Sequence, residues 1–142
     1  MKIFQSSIGM PSIFSRIING EIPAWKVAES ERFLAFLDVN PLAKGHTLIV
    51  PKIETDYFFD LSDEEITSIM LFSKKVATAL RSTLPCLRIG MSVIGLEVPH
   101  AHVHLVPLNN MGDINFSNSR LNLSAEEMEA IAASIRSAYD KL

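Results

Sequence analysis

Three of the chain's four histidines fall within five positions, His100-Ala101-His102-Val103-His104. Side chains on an extended strand alternate with period two, so these three imidazoles share one face. Ala101, Val103 and Leu105 then point the other way, into a core. Histidine is usually scattered, and a one-sided row is hard to explain as packing. Two chemistries suit it. Alternating imidazole nitrogens can ligate zinc, as in sites built from three histidines. A neutral imidazole near its pKa is also a competent nucleophile, able to attack phosphorus while neighbouring rings bind phosphate oxygens or hold the geometry.

A strand carrying such a row needs neighbours, and the sequence predicts them. Residues 12–20 read as a short helix with Ile13, Phe14, Ile17 and Ile18 on one face, capped by Ser12 and ended by Gly20. Strands are expected at Trp25–Ala28, Phe33–Leu37 and His46–Val50, the last stopped by Pro51. Ser62 and Glu65 form a capping box that opens a long helix, with Ile66, Ile69, Met70, Val76, Ala77 and Leu80 at helical spacing. Two more strands follow, Leu87–Ile94 and Ala101–Val106. A second capping box, Ser124 to Glu127, starts a C-terminal helix with Met128, Ile131, Ile135 and Tyr139 inward. Consecutive strands with short connections favour an antiparallel sheet of about five strands, with the helices segregated. The expected class is α+β.

Composition narrows the function classes. The 142 residues suit one domain, read as 1–142, with residues 1–11 as a loose arm or an added edge strand. A net charge of -3 argues against a broad basic surface for nucleic acid, though not against a small anion bound by local donors. Cys86 is the only cysteine, so neither an internal disulfide nor a cysteine-based metal site can be built, which suits a reducing compartment. No segment approaches about 18 consecutive apolar residues, so no membrane span is expected and the cytoplasm is the expected location.

The segment His100-Ala101-His102-Val103-His104-Leu105-Val106 resembles the signature of the histidine-triad (HIT) family, Hint-like branch. Residues 12–24, opening Ser12-Ile13-Phe14 and closing Pro23-Ala24, resemble the start of those members. Residues 34–41 and 45–52 resemble their ribose-binding segment and the strand after it, so the likeness spans about 12–107 and leaves a C-terminal loop and helix over 108–142. The resemblance implies a HIT-type sheet and a nucleotide hydrolase or transferase acting on nucleoside 5'-monophosphate derivatives, of phosphoramidate or dinucleoside polyphosphate type. It implies that His102 attacks the α-phosphate and becomes nucleotidylated, with a backbone carbonyl holding its other nitrogen. His104 would bind a phosphate oxygen, His100 would help to position the group, and His46 would join the hydrogen-bond network. Asp38 would accept from ribose hydroxyls, and Phe14, Ile17, Phe36, Leu37 and Val39 would line the base and sugar pocket. A homodimer is implied, and no cofactor is required.

By themselves several of these residues read differently. Asp38, ahead of Asn40-Pro41, suits a turn; Phe14 and Phe36 suit a core; His46 after Gly45 is an ordinary turn residue. Two departures from the family pattern also stand out. Many bacterial relatives hold a structural zinc through two cysteines, a histidine and the first triad histidine. Here Ser12, Ser15 and Glu54 occupy the first three positions, and neutral serines are poor zinc ligands, so no metal is expected. Leu96 and Glu97 stand where active hydrolases carry a Gly-Gln pair beside the phosphate, which raises a second reading as a nucleotide-binding module without turnover.

Overall fold

Alternation along the strands gives the sheet two apolar faces, and the helices are divided between them. The computed structural model describes residues 10–142. Helix α1 spans Ile13–Ile18, followed by strands β1 (Lys26–Glu29), β2 (Phe33–Leu37) and β3 (Thr47–Pro51). Helix α2 covers Asp63–Thr83, strands β4 and β5 cover Arg88–Ser92 and Val103–Leu108, and α3 covers Ala125–Asp140. The five strands form one antiparallel sheet in the order β1-β2-β3-β5-β4. The class is α+β, as expected. The arm expected at the N-terminus lies almost wholly outside the described residues.

One face of the sheet carries Ala35, Leu37, Ile49, Val103 and Leu105 against Ile69, Val76 and Leu80 of α2 and Met128, Ala132 and Ile135 of α3. Both capping boxes form: Ser62 accepts from the Glu65 N–H, and Ser124 from the Glu127 N–H. On the other face Leu34, Phe36, Leu48 and Val50 meet Phe14 and Ile17 of α1. Six residues are too few to hold a helix unaided. At its start the Ser12 hydroxyl accepts from the Ser15 N–H. At its end Gly20, at φ 81°, turns the chain so that the Glu21 N–H reaches Arg16 O and the Gly20 N–H reaches Ile17 O.

The strand bearing the histidines starts later than the sequence predicts. Of the triad only His104 lies on the ladder of β5. The Ala101 N–H donates to Thr55 O and the His100 N–H to Val98 O, so this backbone is drawn toward residues 52–55 instead of β3. The alternation of side chains persists nonetheless: Ala101, Val103 and Leu105 enter the helix-side core. Strand β4 is shorter than expected, leaving Val93 and Ile94 outside it, and His46 just precedes β3. Among the described residues no helix is long and apolar enough to cross a membrane.

Leu80, fully buried between α2 and the sheet, tests the helix-side core. Leu80→Ala should lower the unfolding free energy by about 2–5 kcal/mol, read from the urea midpoint at unchanged slope.

Candidate active site

The four histidines are all buried, and each ring has its tautomer set by a neighbour. His102 Nδ1 lies 2.8 Å from His100 O. A carbonyl can only accept, so Nδ1 carries the proton and Nε2 keeps a bare lone pair. Burial holds the His102 pKa below its ordinary 6.5, against the raising pull of that carbonyl and of the Asp38 and Glu97 carboxylates. The ring is therefore neutral at pH 7.

His104 is set through a longer chain. The Leu42 N–H donates to His46 Nδ1 at 3.0 Å, which places the His46 proton on Nε2. That N–H donates to His104 Nδ1 at 3.0 Å, leaving the His104 proton on its own Nε2. Burial, then the charges of His104, Arg120 and His102, bring the His46 pKa down to about 3. Burial, then His102 and Arg120, bring that of His104 to about 4. With His46 neutral, its 3.6 Å approach to Asp38 Oδ2 is a dipolar contact and not an ion pair. The His102 and His104 rings are 4.9 Å apart. Neither Nε2 has a hydrogen-bond partner among the described residues, so a lone pair and an N–H donor stand side by side.

His100 is committed elsewhere. Its Nε2–H donates to Pro51 O at 2.8 Å, and its Nδ1 accepts from the Ser12 hydroxyl at 2.6 Å. Glu54 Oε1 accepts from the Ser12 N–H at 2.8 Å and from the Ser15 hydroxyl at 2.7 Å. Burial pushes the Glu54 carboxyl up, but these two bonds and the nearby His100 outweigh it and hold the group below its ordinary range. The four positions where relatives would hold zinc are thus brought together, yet their donors and acceptors already match one another. Two hydroxyls and a carboxylate do not replace two thiolates and an imidazole, and zinc does not fit. Asp38, His46 and His104 also offer donor atoms within 4.8 Å of one another. A cation there would have to displace the proton shared by His46 and His104, a bond that the Leu42 N–H enforces.

Most of the sequence-derived residues gather at the histidine face. The Phe14 ring stands edge-on to His102 at 5.0 Å, to Phe36 at 5.6 Å and to His100 at 5.7 Å, and Ile17 packs in the same cluster. Asp38 shapes the turn, its Oδ1 accepting from the Asn40 N–H, while its Oδ2 faces His46. Burial raises the Asp38 pKa, against the pull of Asn40 and Arg120. Leu37 does not reach the site, because one step along the strand from Phe36 turns it into the helix-side core. Val39, past the strand end, is 64% exposed and belongs to neither core. Leu96 is 88% exposed, whereas Glu97 is close enough for its charge to act on His102 and Asp38.

Two residues at the site escaped the sequence reading. The Phe116 ring lies 4.6 Å from that of His104 and 6.0 Å from that of His46. Arg120 stacks over Phe116 and donates to Asn40 O at 2.7 Å, and the Leu121 N–H donates to Pro41 O. These bonds fold the segment after β5 back over the turn that carries Asp38. No motif or periodicity marks either residue; their only signal is being the one aromatic and the one basic residue of the loop between β5 and α3.

The chain resembles known proteins along most of its length. The HIT domain pattern matches residues 19–111. An uncharacterized HIT-like protein of Borreliella burgdorferi is 33% identical, covering 87% of this chain and 94% of that one. The adenosine 5'-monophosphoramidase hnt1 of Schizosaccharomyces pombe is 34% identical, covering 90% and 98%. In three dimensions a zinc-bound histidine triad family protein from Mycobacterium smegmatis superposes with a TM-score of 0.77 at 27% identity, covering 91% and 93%. With the domain pattern, the two relatives and the shared fold in agreement, the chain belongs to the histidine-triad (HIT) family.

Proposed function

We propose that the chain hydrolyses or transfers nucleoside 5'-monophosphate groups, using His102 as the nucleophile. The observation that carries this reading is the bare Nε2 of His102, whose Nδ1–H is held by the His100 carbonyl, set beside the His104 ring, whose own proton lies on Nε2. The phosphoramidase named among its relatives supports the substrate class. Phe14, Ile17 and Phe36 offer apolar surface to base and sugar, and Asp38 Oδ2 can accept from a ribose hydroxyl.

In this reading Nε2 attacks the α-phosphorus, forming a P–N bond as the bond to the leaving group breaks. With a phosphoramidate the amine departs with a proton drawn from solvent. The imidazolium so formed keeps its Nδ1–H on the His100 carbonyl, which shares the new positive charge. The His104 N–H donates to the phosphoryl oxygen where charge grows. Water then adds to phosphorus and gives up a proton to solvent, the P–N bond to His102 breaks with its electron pair returning to Nε2, and the monophosphate leaves with the ring neutral again. The cycle begins and ends with a neutral His102 ring, and only the nucleotidylated intermediate is cationic.

Glu97 favours a second reading. A carboxylate acting on His102 repels an incoming phosphate, which would suit a binding module without turnover. We also propose a homodimer. Strand β4 is an open sheet edge, and Leu87, Met91 and Ile94 on and beside it are exposed, which suits pairing with a second copy.

Adenosine 5'-phosphoramidate should be turned over with a burst of product, and His102→Asn should lower kcat on the order of a thousandfold or more. No turnover, with adenosine monophosphate still bound in calorimetry, would select the binding module instead. Protonation of His102 removes its lone pair, and its pKa lies below 6.5. A pH series should therefore find kcat/KM falling as pH drops, with the midpoint of the fall below 6.5. Sedimentation at micromolar protein should give twice the chain mass, and Met91→Lys should return the chain mass.

A further inference from the structure

We propose that Glu54, Ser12 and Ser15 form a metal-free clasp that positions the His102 nucleophile by way of His100. The inference rests on the nucleophile reading above and names residues that this reading leaves without a role. Ser12, Glu54 and His100 come from three segments separated by 42 and 88 residues along the chain, measured from Ser12. They meet in one continuous chain of hydrogen bonds. Glu54 Oε1 anchors the first turn of α1 by taking the Ser12 N–H and the Ser15 hydroxyl. The Ser12 hydroxyl accepts from the Ser15 N–H and donates to His100 Nδ1. The far side of the His100 ring donates to Pro51 O.

A ring tied at both nitrogens has no freedom to rotate, and His100 is fully buried. Its own backbone is then fixed as well, and the carbonyl of that residue is the acceptor for His102 Nδ1–H. Without it no other hydrogen bond among the described residues distinguishes the two His102 tautomers, and in the wrong one Nε2 carries a proton and cannot attack. The same clasp seats α1, so it also sets Phe14, whose ring stands edge-on to both His100 and His102. In zinc-holding relatives the corresponding four positions would be tied by metal. Here the donor–acceptor match among two hydroxyls, a carboxylate and an imidazole does the same work, and metal affinity is given up.

The role predicts more than a loss of stability. Glycine is an acceptable N-cap residue, so Ser12→Gly keeps the start of α1 while deleting the hydroxyl that holds His100. Ser12→Thr keeps that hydroxyl, and Glu54→Gln keeps an accepting oxygen. Imidazole nitrogen NMR on the ligand-free protein reads the tautomer of His102 directly. We expect wild type, Ser12→Thr and Glu54→Gln to show His102 protonated at Nδ1 alone. Ser12→Gly and Glu54→Ala should show a mixture, with kcat for the phosphoramidate about tenfold lower and KM within about twofold. Folded Ser12→Gly with His102 wholly in the Nδ1–H form would overturn the proposal, whatever becomes of Glu54→Ala. The NMR outcome stands apart from turnover: a disturbed tautomer in a protein that never turns over substrate keeps the clasp and removes only the hydrolase reading.

Discussion

One hydrogen bond governs the chemistry available here, the donation from His102 Nδ1–H to the carbonyl of His100. It decides which nitrogen holds the proton, and so which nitrogen can attack. Because the acceptor is backbone, its position depends on everything that holds residue 100. That includes the ring of the same residue, Pro51 on β3, and the serines at the head of α1. The His102 ring is thus oriented by the fold as a whole.

Burial supplies the second constraint. Four imidazoles packed together cannot all carry charge, and the cost of desolvation keeps them neutral. Neutral rings each own one donor and one acceptor, so a row of them can be ordered only if each tautomer is assigned from outside. The Leu42 N–H assigns it for His46 and, through it, for His104. Backbone groups begin or end each of these chains, and backbone groups do not change protonation state. The arrangement therefore resists a change of pH until the rings themselves titrate.

The sheet separates stability from chemistry by its two faces. Helices α2 and α3 cover one face with aliphatic contacts, while the other holds α1, the histidines and the aromatic wall of Phe14 and Phe36. On that second face polar and apolar groups are interleaved, so each histidine meets both a hydrogen-bond partner and a ring edge. The C-terminal segment closes this side, with Phe116 against His104 and Arg120 tied to the turn that holds Asp38.

Much of this was legible in the chain. Period-two alternation put His100, His102 and His104 on one side and Ala101, Val103 and Leu105 on the other. The capping boxes at Ser62 and Ser124 located both long helices, because their signals are local and complete within four residues. The family likeness reached the HIT fold, but it put Leu37 in the pocket, whereas the alternation of β2 turns that side chain into the helix-side core. Other features depend on contacts across many residues and carry no local signature. The late start of β5 follows from the bond between Ala101 and Thr55, and the loop that brings Phe116 and Arg120 to the site has no periodicity. Sequence alone identified Ser12 as a helix cap, and Ser12, Ser15 and Glu54 as absent zinc ligands. Their bonds to one another and to His100 belong to the tertiary structure, since a hydrogen bond is settled by distance and angle between groups that only folding brings together.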